Sequence, residues 1–134
     1  MHSPHHNESP FNSIPLVPLA LVIVIALIEL TLTAAANGLL GGAQGVGWRS
    51  TVFNNFQFYP EIMTEIFERG RGTFDLWKRF ATYPFLHQGG IHALWACVLL
   101  LALGKFVGEI FHPLAFLLLF FVCSIFGAAI YGLL

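Results

Sequence analysis

Two histidines five residues apart, His87 and His92, a carboxylate inside an apolar run, Glu29, and five serines are the residues of this 134-residue chain whose types could do chemistry. An imidazole serves as a general base or a metal ligand, and a serine beside one becomes a nucleophile. Ser3, Ser9 and Ser13 lie near the N-terminus with His2, His5 and His6, Ser50 follows Arg49, and Ser124 stands in an apolar stretch. None sits in a Gly-x-Ser-x-Gly elbow. Ser124 reads as a packing residue whose hydroxyl bonds back to its own turn. Were His87 and His92 on one helix, their spacing would aim them about 140° apart, a poor arrangement for one ion, and His112 lies far along the same run. No metal and no other cofactor is expected; the N-terminal histidines, on a polar segment expected to be mobile, would bind a metal only opportunistically. Cys97 and Cys123 fall in apolar runs, where a disulfide framework is unusual.

Glu29 lies eight residues before Asn37, so it is not interfacial. An ionised carboxyl at the centre of a membrane helix costs about 2.5–3.5 kcal/mol on insertion scales and usually faces protein. A proton or ion path would need partner charges in other spans. With none there at depth, the expectation is a neutral Glu29 hydrogen-bonded to a neighbouring helix.

The elements that must position these groups follow from composition. The chain is 57% apolar and 10% charged, against about 25% charged for a soluble domain, which excludes a water-soluble globule and, by the same figures, a disordered chain. A net charge of −1 without a basic run excludes a nucleic-acid binder. About 20 apolar residues span a bilayer core. Leu16 to Ala36, Ile91 to Val107 and Pro113 to Leu134 meet that requirement, which predicts an all-α membrane protein of three transmembrane helices. With no Lys or Arg before it, the first run reads as a retained helix rather than a cleaved signal. Four regions follow: a polar tail over 1–13, the first helix over 14–37, an interfacial loop over 38–90, and a hairpin of the second and third helices over 91–134. The short connection near Gly108–His112 makes that hairpin antiparallel.

The loop is too long to be idle. Pro60 and Gly70 punctuate an amphipathic helix with Ile62, Met63, Ile66 and Phe67 on one face and Glu61, Glu65, Glu68 and Arg69 off it. Thr73 to Phe80 mixes Phe74, Leu76, Trp77 and Phe80 with Asp75, Lys78 and Arg79, a composition suited to the membrane interface. Small residues recur every fourth position at Gly104 and Gly108 and at Ser124, Ala128 and Gly132, stripes that allow helices to approach closely.

The stretch from Trp77 to Ala96 resembles the rhomboid family of intramembrane serine proteases. That family carries a Trp-Arg pair in the first loop, a His-x4-His-x3-Asn motif entering the second helix, and a Gly followed by a charged turn. Trp77 with Lys78 and Arg79 looks like the loop pair, His87 and His92 match the motif histidines, and Gly104 to Glu109 looks like the turn. The likeness runs from about residue 73 to 134, while the first helix and Trp48-Arg49 correspond to it in layout. It implies the first half of the rhomboid fold. In the family the serine lies in a Gly-x-Ser-x motif on the fourth helix and its base is a histidine on the sixth, with the second motif histidine and the Asn stabilising the oxyanion. Here the Asn position is Ala96, which has no donor, and no fourth or sixth helix lies within the 134 residues.

The resulting expectation is a rhomboid-like membrane protein without protease activity of its own, holding other transmembrane helices or membrane-complex subunits in the bilayer and binding no nucleic acid. Two alternatives compete: the N-terminal part of an active protease whose dyad lies beyond residue 134, and an accessory subunit of a bioenergetic or photosynthetic membrane complex. The expected location is a bacterial inner membrane. Arg49, Arg69, Arg71, Lys78 and Arg79 would hold the loop in the cytoplasm by the positive-inside rule, against Lys105 on the other side; the resemblance puts the loop outside, and that orientation is the one expected.

Overall fold

A computed structural model describes residues 14–134, which are helical with no strand among them. The polar tail and its histidines lie outside the described residues. Helix α1 spans Leu16–Ala36, 21 residues, or about 31 Å at 1.5 Å per residue, one bilayer core in length. Pro15 and Pro18 fall at its start, where a backbone donor would have no helical partner. The Asn37 side chain donates to the Thr33 carbonyl at 2.8 Å, and Gly38, at φ +74°, turns the chain out of the helix.

The chain then doubles back. Short α2 (Gly42–Gly45) leads into α3 (Trp48–Phe56), a helix that packs beside the end of α1. The expected amphipathic segment forms as α4 (Glu61–Met63) running into a π-turn over Thr64–Glu68, closed by Gly70 at φ +64°. Helices α5 (Phe74–Trp77) and α6 (Arg79–Thr82) and a 3-10 turn over Tyr83–Phe85 complete the loop. Its apolar side chains form a small core of Phe58, Ile62, Ile66 and Phe80, with Met63, Leu76 and Tyr83 around it and Ala128 beneath.

Helix α7 covers Gly90–Ile110 and α8 Pro113–Leu133. Thus the second span runs one turn beyond Val107, and only Phe111 and His112 join the pair. His112 caps α8 by accepting from the Leu114 amide at 3.3 Å. The small residues lie where side chains of α1 and the loop come close, and Gly104 also faces Phe116 of α8. A methyl group on Gly104 would come within 2.7 Å of Pro18, and one on Gly108 within 2.8 Å of Pro15. That stripe seats α7 antiparallel against α1. On α8, Ala128 is buried under the loop core, and a methyl on Gly132 would collide with Met63. The second stripe therefore receives the loop. Meanwhile α7 and α8 leave an open groove of about 470 Å³ between them, lined in part by Leu99, Leu103, Gly104, Leu119 and Ser124.

Larger side chains on the α8 stripe should therefore undock the loop. Gly132→Leu and Ala128→Leu should each destabilise by about 1–3 kcal/mol, the usual cost of overpacking. Limited trypsin digestion in mild detergent reads this as faster cleavage at Arg69 and Arg71. Phe126→Leu, on a face 64% exposed, should leave the digestion rate as it is.

Candidate functional site

The polar groups converge at the level of Glu29, seven residues below the end of α1. Glu29 is 6% exposed. Arg49, brought down by the reversal through α2 and α3, meets it with both terminal nitrogens: Nη2 to Oε1 at 2.7 Å and Nη1 to Oε2 at 3.0 Å. Thr33 donates to Oε1 at 2.8 Å and accepts from Arg49 Nη2 at 3.1 Å. Arg49 Nη1 also donates to the carbonyl of His87 at 2.8 Å. A fork matched to a carboxylate is the strong form of this contact. Glu29 is thus hydrogen-bonded to a neighbouring helix, as expected, but as an ion-paired carboxylate rather than a neutral group. The expectation of neutrality failed because a cation was sought in the other spans, whereas it descends from α3.

The loop motif residues have structural partners as well. Arg79, 11% exposed, donates to the carbonyls of Asn54 at 2.8 Å and Gln57 at 3.1 Å. Thr82 donates to the carbonyl of Phe56 at 2.8 Å. These bonds satisfy carbonyls that the end of α3 leaves without helical donors. Lys78 and Arg79 both pair with Asp75, and these bonds, Lys78 foremost, hold its carboxyl below the ordinary carboxylate range. Trp77 packs on Phe67 and Phe80.

His87 and His92 come together by a route that a single helix could not provide. Helix α7 begins at Gly90, so only His92 is on it; His87 lies in the extended segment before it, its ring edge-on to His92 at 5.0 Å between centroids. His87 is buried, its Nδ1 has no partner, and His92 is exposed. Burial pushes the His87 imidazole pKa down; the charge of His92 adds to this, and Glu29 and the backbone of Phe85 oppose it. Ala96 lies one turn beyond His92 on α7, with a methyl group where a donor would be needed. Ser124 donates to the Phe120 carbonyl at 2.8 Å, and its own carbonyl accepts from the Tyr83 hydroxyl at 2.7 Å. Among the described residues no serine hydrogen-bonds an imidazole, and no group of three or more His, Cys, Asp or Glu could hold a metal ion.

Three apolar helices long enough to cross a membrane, with a folded loop between the first two, define an all-α multi-pass membrane protein. Residues 74–134, a little under half of the chain, match the family model described as the Rhomboid domain, and over that stretch the membrane protein is rhomboid-like. No curated protein and no solved structure matches the chain. The matched stretch holds Trp77, Lys78, Arg79, His87, His92 and Ala96 but begins after Glu29 and Arg49. Sequence reasoning missed Arg49 as a site residue. The signal was available: a carboxylate within a span requires a cation, and Arg49 is the first one after it.

Breaking the pair from one side should cost about 3 kcal/mol, the low end for a buried ion pair because Arg49 stays 23% exposed. Arg49→Met is expected to lower the thermal midpoint in detergent sharply, while Glu29→Leu combined with Arg49→Met should recover most of that loss. A second expectation concerns pH. A base whose folded pKa lies below its unfolded value of about 6.5 stabilises the fold fully above that value and loses its contribution as pH falls through the depressed folded pKa. Wild-type stability should accordingly drop below about pH 6.5 with a slope that His87→Gln reduces.

Proposed function

We propose that this chain is a non-catalytic rhomboid-like membrane protein that holds transmembrane partners. The observation that carries the reading is Ala96. At the position where the resemblance calls for an oxyanion donor, this chain has a methyl group, and Ser124 spends its hydroxyl on its own helix. Losing one oxyanion donor costs about 10²–10³ in rate, so Ala96 handicaps peptide hydrolysis even where a nucleophile is supplied. Supporting the holding role, α7 and α8 are apolar and largely exposed along both spans, which leaves faces on which other membrane helices can pack. The inner membrane of a bacterium is the setting proposed for it.

The convergence of His87 and His92 favours a second reading, in which a longer product supplies the serine and its base and the pair serves the reaction. The two readings differ in a direct assay. The chain in native membranes should take no label from a fluorophosphonate probe, and Ala96→Asn should not create labelling. Probe labelling that disappears on Ser124→Ala or Ser50→Ala would overturn the non-catalytic reading. Mild-detergent affinity purification should recover other membrane subunits, and isolation of the chain alone would count against the holding role.

A further inference from the structure

A second groove, of about 520 Å³, runs down α1 on the side of the loop. Val24, Leu27, Ile28 and Leu32 form one wall, and Phe56 and Phe85 stand in the other. The two hydroxyls in its lining are already engaged, Thr31 with the carbonyl of Leu27 and Thr82 with that of Phe56. The lining side chains offer hydrocarbon alone.

Its dimensions select among hydrocarbon occupants. From Leu32 to Val24 the groove follows eight residues of α1, about 12 Å at 1.5 Å per residue, which gives a mean width of roughly 6–7 Å. A helix with its side chains is about 10–12 Å across and does not enter such a slot; a single alkyl chain does. The groove also runs from just below the loop-side end of α1 to just past its midpoint, the depth of one leaflet, about 15 Å. A cation stands by one wall: the Lys78 ammonium lies 4.5 Å from the centroid of the Phe56 ring. Its salt bridge to Asp75 leaves it further donors, whereas Arg49 and Arg79 are occupied with the carboxylate and carbonyls described above.

We propose that this groove holds one acyl chain of an anionic phospholipid from the loop-side leaflet, with the phosphate beside Lys78. The lipid completes the wall between α1 and the loop, which the protein leaves open.

The test uses the full chain in phosphatidylcholine vesicles with a minor fraction of phosphatidylglycerol, either lipid carrying a diazirine at mid-chain, with labelled residues mapped by mass spectrometry. Label should concentrate on Val24, Leu27 and Phe85 over Leu118 and Phe126 of the exposed α8 face. Phosphatidylglycerol should be favoured about fivefold, the effect of one lysine at an anionic surface. Leu27→Trp should abolish groove labelling and leave Phe126 labelling intact; Val52→Trp fills the slot from the loop side should the first variant misfold. Lys78→Gln should keep the chain label but bring the two headgroups to parity. Equal labelling of groove and α8, or labelling indifferent to both tryptophans, would reduce the groove to ordinary boundary lipid and overturn the proposal. So would displacement of the label by an added apolar helical peptide.

Discussion

A carboxylate in a membrane-spanning helix has to find its partner inside the protein, because neither lipid nor water at that depth will supply one. Glu29 finds it in Arg49, twenty residues along the chain, and the architecture of the first half of the molecule follows. To bring a guanidinium seven residues below the end of α1, the chain must reverse at once, which Gly38 and Gly41 allow through left-handed backbone at φ +74° and +69°. It must then run α3 back along the helix it has just left. Arg49 also donates to the His87 carbonyl. One side chain therefore ties together α1, the loop and the entry to α7. The arrangement is strong only as a whole, since a buried pair whose geometry fails leaves an uncompensated charge.

The two stripes of small residues do a different kind of work. In a bilayer, lipid tails are as apolar as leucine, so helices gain little by hiding hydrocarbon from the solvent and must gain by close packing. Gly104 and Gly108 let the rings of Pro15 and Pro18 settle on α7, and Ala128 and Gly132 let Phe58 and Met63 settle on α8. Thus the loop rests on α8 at one end and is pinned by Arg49 at the other. The tight turn at Phe111–His112 keeps α7 and α8 neighbours in the chain, yet the closest approaches of their small residues are to α1 and the loop, and a groove lined in part by Gly104 and Ser124 is left between the two helices.

Individual elements were legible from residues alone where one local pattern sufficed. Twenty apolar residues mark a span wherever they occur, and Pro60 with Gly70 marks a short helix. Helix α3 was not legible, because Trp48–Phe56 is polar at Arg49, Ser50, Thr51, Asn54 and Asn55 and lacks a clear apolar stripe; its stability comes from Arg49 below and from Arg79 and Thr82 at its end. The meeting of His87 and His92 was hidden for a related reason. A helical wheel assumes that both residues lie on the helix, and the start of α7 at Gly90 removes one of them. Which face a small-residue stripe presents to which neighbour is likewise a property of the assembled helices, not of the stripe.

The family motif divides here along a physical line. Arg79 satisfies carbonyls at the end of α3, Trp77 packs in the aromatic cluster over the loop core, and the His87 carbonyl receives Arg49. The Arg79 and Trp77 side chains serve the fold whatever the protein does, because a helix end left short of partners costs stability directly, whereas the bond at residue 87 uses a backbone carbonyl that any side chain would leave in place. The last position of the motif is different. Ala96 is half-buried within α7, away from either end of the helix, and carries no hydrogen-bond donor. The holding role proposed above rests on the methyl group at this one position, and the edge-on pair of His87 and His92 is the feature that weighs toward the other reading.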